Sequence, residues 1–175
     1  MERRIRARLF GFFHYYSKPF IKLAEHLGIN DKIIWNYQLT QQNLFAWIQH
    51  ALASVAPLKE CSRNIEQGCS PLKILESMAC GVPVVASDIP VVREIITENH
   101  DGKLVRPDRP AELSRSLRFI IDYPEYAAKI KENALKTIKS KFMWEQKKKE
   151  LFDIYSELVR FDYADIRNKI QEARL

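Results

Sequence analysis

Glycine is scarce in this 175-residue chain, and the placement of its few glycines excludes the familiar glycine-rich phosphate loops. No Gly-x-Gly-x-x-Gly run and no Walker-type loop occurs, so a dinucleotide-binding Rossmann enzyme is disfavoured. The five glycines are Gly11, Gly28, Gly68, Gly81 and Gly102.

Cysteine and histidine are also few, and their spacing matches neither a disulfide framework nor a metal site. The three cysteines, Cys61, Cys69 and Cys80, are odd in number and form no Cys-x-x-Cys pair. This pattern is typical of reduced thiols and favours a cytoplasmic protein. The four histidines are scattered without a ligand spacing such as His-Glu-x-x-His, so we predict no metal site and no cofactor.

Long apolar runs are absent as well. No window approaches the roughly 18–20 apolar residues of a membrane-spanning helix. Residues 1–18, MERRIRARLFGFFHYYSK, contain four arginines followed by an aromatic cluster, without the small-residue cleavage site of a secretory signal. The favoured interpretation is a helix whose aromatic residues pack on the domain. The alternative is a basic amphipathic segment in peripheral contact with the anionic inner surface of a membrane.

The composition that is present suits one globular domain with anionic partners. Hydrophobic residues make up 46% of the chain, the net charge is +6 and the pI is near 9.2. One hydrophobic core is therefore expected, and nucleotide sugars, nucleic acids and acidic lipids all match the charge. Because no nucleic-acid-binding motif is recognisable, nucleic acid is not an expected partner.

The most informative stretch runs from Gly68 to Ile95, GCSPLKILESMACGVPVVASDIPVVREI. Ser70 is a good N-cap and Pro71 suits a first helical position, so we expect a helix to begin at Pro71. Gly81 supplies a left-handed end, and VPVVAS then reads as a strand buried on both faces. The apolar residues of this helix are Leu72 and Leu75 with Ala79 on one side, and Ile74 and Met78 beside them.

Alternation of helices and strands continues on either side of this stretch. We predict a helix at Phe20–Leu27, a strand at Lys32–Trp35, a helix from Thr40 to His50 and a strand at Ala53–Pro57. The fold class is therefore α/β, with a Rossmann-like parallel sheet flanked by helices.

Lys73 and Glu76 lie three residues apart and project from the same side of the predicted helix. A lysine in the first turn opposes the helix macrodipole, and Lys before Glu is the poorer order for an ion pair. An anionic ligand at the helix N-terminus would explain both residues, since free amides bind phosphate and a carboxylate accepts from sugar hydroxyls. A solvated pair on an exposed face is the alternative.

The run PLKILESMACGVPVVASDIPVVREI, followed by DGKLVRPDRPAELSRSLRFIIDYPE and KFMWEQ, resembles the donor-binding half of family-four (group 1) retaining glycosyltransferases of the GT-B fold. The similarity extends from about Leu23 to Leu158. In that family a Glu-x7-Glu signature lies on this helix. The second glutamate contacts the nucleotide ribose, the first contacts the donor sugar, and backbone amides between them face the diphosphate.

The resemblance implies a site in this chain, residue by residue. Glu76 matches the second glutamate, whereas Gly68 stands where the first would be, so no sugar-reading carboxylate is assigned. The side chains of Ser70 and Lys73 and the amides of Leu72 and Lys73 are implied to contact the donor, and Lys73 to stabilise the departing diphosphate. Tyr37, in the predicted turn Asn36–Leu39, would stack near the nucleobase or else simply cover the sheet edge.

The resemblance also implies the domain plan and the activity. We expect a basic aromatic segment at residues 1–18, a single nucleotide-sugar-binding domain at 19–160 and a helical tail at 161–175.

The implied function is retaining transfer from a nucleotide sugar, a UDP-hexose, to a glycan or lipid-linked acceptor in envelope or exopolysaccharide synthesis, without a metal. Because only the donor half is recognisable, an acceptor-domain partner chain is also expected. The alternative is a truncated, non-catalytic nucleotide-binding or interaction module.

Overall fold

The computed structural model describes the backbone of residues 7–11 and 14–172 and the side chains of residue 7 and residues 17–159. The first six residues of the predicted basic segment, and the last three of the predicted tail, lie outside the described residues. The chain divides into two compact units, residues 1–47 and 48–175, which are considered in turn.

The first unit contains two parallel strands, β1 (Ala7–Gly11) and β2 (Ile33–Tyr37). They pair in register from Ala7 opposite Ile33 to Gly11 opposite Tyr37. The helix α1 (His14–His26) and a short 3₁₀ turn connect them, because parallel neighbours need a crossover. For residues 7–11 the expectation of a helix is therefore wrong. The pairing partner of this strand lies 26 residues along the chain, where a local pattern cannot reveal it.

The second unit is built on three parallel strands in the order β3-β4-β5. They are β3 (Ser54–Ala56), β4 (Val84–Ser87) and β5 (Lys103–Val105). All four residues of the central strand β4 are buried. This confirms the predicted parallel sheet and the strand predicted from VPVVAS.

Helices enclose both faces of this three-stranded sheet. Val84 and Ala86 of β4 contribute to one core cluster, together with Ile74 and Met78. Val85, between them in sequence, packs with Val105 and other residues on the opposite face. The helices that follow α1 along the chain are α2 (Gln41–Gln49), α3 (Ser62–Ile65), α4 (Leu72–Ala79), α5 (Pro90–Arg93), α6 (Pro110–Asp122), α7 (Pro124–Lys141) and α8 (Trp144–Glu172).

The helix ends agree with local sequence signals at several positions. Thr40 caps α2, because its side-chain oxygen accepts a hydrogen bond from the amide of Asn43 at 3.3 Å. Gly28 and Gly81 adopt positive φ angles of 63° and 66° after α1 and α4, and the second of these was predicted. The domain boundaries predicted after residues 18 and 160 fall inside α1 and α8 and coincide with no break between elements.

Candidate functional site at the carboxyl edge of the second sheet

Helix α4 carries three of the five predicted site residues, Leu72, Lys73 and Glu76, and Ser70 lies two residues before its start. The helix runs from the carboxyl end of β3 back to the start of β4, so its first turn lies at the edge where the strands end. Ile74 and Met78 are completely buried and hold the helix against the sheet. Leu72, expected on the apolar side, is instead 62% exposed, because the buried face centres on the other two residues.

A buried serine, which the sequence did not single out, fastens α4 to the sheet. The Ser77 hydroxyl donates to the carbonyl oxygen of Lys73 at 2.8 Å and lies 2.7 Å from the hydroxyl of Ser54 on β3. This chain of contacts connects the first turn of α4, where Lys73 lies, to the neighbouring strand. The sequence signal that could have identified Ser77 was its position as a small polar residue on an otherwise apolar helix face.

The start of α4 differs from the predicted cap. Pro71 occupies the cap position, the helix begins at Leu72, and no side-chain oxygen caps it. The prediction that the helix begins at Pro71 with Ser70 as its cap is therefore wrong. The backbone ψ of 76° at Pro71 places it outside the helix, and the carbonyl oxygen of Ser70 accepts from the amide of Leu72 at 2.9 Å.

The backbone amides of Leu72 and Lys73 at the start of α4 consequently differ in whether they are available to donate a hydrogen bond to a ligand. The Leu72 amide, predicted to face the diphosphate, already donates to Ser70. No described residue accepts a hydrogen bond from the amide of Lys73. Among the predicted backbone donors, Lys73 is therefore the one that the described part of the chain leaves for an anion.

The Lys73 and Glu76 side chains form no ion pair with each other or with any other described residue. Lys73 is exposed and Glu76 is half-buried. Burial and, secondly, the negative charge of Glu76 raise the pKa of the Cys80 thiol at the end of the helix. Cys80 is thus an unreactive helix-end residue, whereas the two charged side chains remain uncompensated.

Tyr37 belongs to the first unit and is described within it. It is the last residue of β2 and not part of a following turn, which begins at Gln38 with a positive φ of 55°. Its hydroxyl lies 2.7 Å from the hydroxyl of Ser17 on α1. This contact suits the interpretation of a tyrosine that covers the end of the strand.

Asp88 follows β4 at the carboxyl edge, where α/β sheets bind ligands. Its two carboxylate oxygens accept from the guanidinium of Arg93, at 2.6 Å and 3.0 Å. The hydrogen bond from Arg93 lowers the pKa of Asp88, and burial offsets this only in part. Asp88 therefore fixes the turn into α5.

A concavity of about 280 Å³ opens at the same edge of the sheet. We call it the strand-end cup. It is lined by residues 57–59 after β3, Ser87 of β4, residues 105–106 and 108–110 at and after β5, and Leu113 of α6. None of the five predicted site residues lines it. The sequence did not reveal the cup because three separate loops form it. The one available signal was the position of Ser87 at the end of the strand predicted from VPVVAS.

Comparison with known proteins defines the class of this fold. A family model described as "Glycosyl transferases group 1" matches residues 5–137. Sucrose-phosphate synthase from Thermosynechococcus elongatus is similar in structure with a TM-score of 0.77 at 21% identity, over 87% of this chain and 38% of that one. The C-terminal domain of the group 1 family protein LpcC from Francisella tularensis gives 0.63 at 21% identity, over 75% and 64%. The fold is that of the C-terminal half of a GT-B glycosyltransferase.

The chain belongs to the group 1 glycosyltransferase family. It is 30% identical over 139 residues to a D-inositol 3-phosphate glycosyltransferase from Streptomyces bingchenggensis. That alignment covers 79% of this chain but only 29% of the relative. The chain thus spans less than a third of the length of this relative. In the described part of the chain, no helix is long and apolar enough to cross a membrane.

Proposed function

We propose that this chain is the donor-binding half of a retaining glycosyltransferase, and that it binds a nucleotide sugar, a UDP-hexose. The observation that carries the proposal is the tip of α4. Lys73 and Glu76 project there without an ion pair to any described residue, and the amide of Lys73 has no described acceptor. A phosphate at a helix N-terminus would satisfy the amide and the ammonium group together.

The known proteins support the nature of the ligand. The Anabaena protein Alr3699/HepE has a similar fold, with a TM-score of 0.74 at 18% identity over 89% of this chain and 41% of that one, in a structure described as a complex with UDP and glucose. A further structure of that protein is described as a complex with UDP-glucose. Uridine nucleotides are therefore the first ligands to test.

In this proposal Lys73 and Glu76 at the tip of α4 contact different parts of the donor. Lys73 compensates the diphosphate, which becomes the leaving group, so the chain needs no metal ion for that charge. Glu76, one turn further along, accepts hydrogen bonds from the ribose hydroxyls. The acceptor is a glycan or lipid-linked molecule in envelope or exopolysaccharide synthesis. Peripheral membrane contact and an acceptor-domain partner chain are part of the same proposal.

Isothermal titration of the full chain with UDP and UDP-glucose tests donor binding. Lys73→Ala removes a charge-assisted contact worth about 1.5–3 kcal/mol, so UDP affinity should fall roughly tenfold or more. Lys129→Ala is the matched control, because Lys129 is an exposed lysine of α7 without an ion pair to any described residue. Equal affinity of the two variants, or no binding by the unaltered chain, would contradict the proposal.

A non-catalytic binding or interaction module is the second candidate, and two observations favour it. Among the described strands, β3 pairs only with β4, so one edge of β3 has no strand partner. Helix α8 also exposes large apolar side chains, including Trp144, Phe152 and Leu158, each more than 60% exposed. An assay for sugar transfer and donor hydrolysis distinguishes the candidates. Sugar transfer or donor hydrolysis by this chain would identify an enzyme, whereas nucleotide binding without turnover would identify a lone half, because an open half-site neither orients an acceptor nor excludes water.

A further inference from the structure

The strand-end cup has a composition that points to a ligand of its own. Four apolar residues, Pro57, Leu58, Val105 and Leu113, are among those that line it. The cup lies where all three strands of the second sheet end, which is the usual ligand position in open α/β sheets. Its volume of about 280 Å³ suits a compact molecule and not a whole nucleotide sugar.

One buried hydroxyl in the lining has no partner within the described chain. Ser87 is only 3% exposed, and no described residue forms a hydrogen bond with its hydroxyl. In the described part of the chain, every side-chain polar atom that is closed off from solvent has a hydrogen-bond partner. The Ser87 hydroxyl must therefore reach open space, and the space that this residue lines is the cup.

Two uncompensated cations line the cup. Lys59 and Arg109 are exposed and form no ion pair with a described residue. Arg106 is already paired, because its guanidinium and its amide both donate to the carboxylate of Glu112. Asp108 contributes one negative charge to the lining, so the lining leaves an excess of positive charge.

The loops that form the cup are held by hydrogen bonds. The side-chain amide of Asn64 donates to the carbonyl oxygen of Lys59 at 2.7 Å, which fixes the loop after β3. The amide of Asp88 donates to the carbonyl oxygen of Val105 at 2.7 Å, which joins the ends of β4 and β5. The site is thus organised before any ligand arrives, which lowers the entropic cost of binding.

We propose that the strand-end cup binds the phosphate group of a compact phosphate monoester. A phosphate near neutral pH carries a charge of about −1.5 to −2. Two cations therefore balance a phosphate better than they balance a carboxylate, which carries a single negative charge. The start of α6 at Pro110 adds the positive end of a helix dipole, and the Ser87 hydroxyl donates to a phosphate oxygen. The body of the ligand contacts the apolar residues of the lining.

Binding is tested by ¹H–¹⁵N NMR titration of the full chain with inorganic phosphate, glucose 6-phosphate and acetate. Signals of Ser87 and Ala111 should shift with both phosphates, and glucose 6-phosphate should bind more tightly than inorganic phosphate. The double variant Lys59→Gln, Arg109→Gln should bind glucose 6-phosphate at least about tenfold more weakly, as expected for the loss of charge-assisted contacts. The control, Lys129→Gln with Lys139→Gln, removes the same charge from α7 and should bind as the unaltered chain does.

The outcomes separate this inference from the proposed function. If both double variants bound glucose 6-phosphate equally weakly, the ligand would be attracted by net charge alone, and the proposed phosphate site in the cup would be wrong. Acetate shifting the same signals with equal affinity would also overturn it. If Lys73→Ala abolished the glucose 6-phosphate shifts while the cup variant did not, the phosphate would lie at α4 instead. Ser87→Ala, which removes one atom, tests the hydroxyl separately and should weaken binding severalfold with the circular dichroism spectrum unchanged.

Discussion

The carboxylate of Asp101 accepts a hydrogen bond from the hydroxyl of Thr137 at 2.7 Å, although the two residues are 36 positions apart. Both are buried, and the second carboxylate oxygen accepts from the amide of Thr97, also at 2.7 Å. This contact fastens the loop between α5 and β5 to α7. Helix α7 also packs against α4, since Ala134 shares a core cluster with Ile74. The carboxylate therefore helps to hold the framework behind the candidate site.

Removing this carboxylate should destabilise the fold. Asp101→Ala leaves the buried Thr137 hydroxyl without its acceptor, and we expect unfolding to become easier by about 1–3 kcal/mol. Urea denaturation measures this free energy. Asp153→Ala, on an exposed part of α8, is the control and should change it little. In a double-mutant cycle with Thr137→Val, a coupling energy near zero would contradict the assigned hydrogen bond.

The pair Asp88 and Arg93 predicts a dependence of stability on pH. The hydrogen bond from Arg93 lowers the pKa of Asp88 in the folded state below its value of about 3.9 in the unfolded chain. A lowered carboxyl pKa stabilises the fold above the unfolded pKa, and this contribution is lost as the pH falls through the folded pKa.

Asp88→Asn should therefore lower stability modestly at pH 7, and its difference from the unaltered chain should shrink towards zero near pH 2. Urea titrations at several pH values measure the difference. Asp122→Asn is the control, since Asp122 is an exposed aspartate of α6 without an ion pair to a described residue. A difference that persists unchanged at low pH would show that the turn, and not the ion pair, depends on Asp88.

The edge of β3 predicts a pattern of amide hydrogen exchange. Ser54 donates its amide to Pro83 on the β4 side, so the amide of the next residue, Val55, points away from β4. Val85 lies in the central strand, between two strand neighbours. Val55 should exchange at least about tenfold faster than Val85 in NMR-detected exchange. Equal protection would mean that another element covers this edge of β3.

Local signals in the sequence predicted those parts of the fold that depend on few neighbouring residues. The run of β-branched residues predicted β4, and Gly81 predicted the end of α4, because burial on both faces and positive φ each select residue types directly. In the second turn of α4, Met78 is completely buried, whereas Ala79, predicted on the apolar side, is exposed.

Features that depend on distant partners could not be predicted in this way. Strand β1 needs β2 to become a strand, and the arginines and aromatics in and around it resemble an amphipathic helix when considered alone. The exposure of Leu72 follows from the exact rotation of α4 on the sheet, which Ile74 sets. The strand-end cup needs three loops to meet, and only the position of Ser87 at a strand end was visible beforehand.

The role proposed for Glu76 gives the sharpest test of the donor site. If its carboxylate accepts from the ribose hydroxyls, then removing either the carboxylate or a hydroxyl should have the same effect. We expect Glu76→Gln to weaken UDP binding roughly tenfold, the loss expected for a hydrogen bond to a charged group. We also expect the unaltered chain to bind 2′-deoxy-UDP correspondingly more weakly than UDP.

The decisive measurement combines both changes in one cycle. Glu76→Gln should bind 2′-deoxy-UDP and UDP almost equally, because the carboxylate that distinguishes them is gone. Lys73→Ala is the matched comparison, since a residue that contacts only the diphosphate should weaken both nucleotides by the same factor. Independent, additive losses for Glu76→Gln and the missing hydroxyl would place the ribose away from Glu76 and remove the main support for the proposed orientation of the donor on α4.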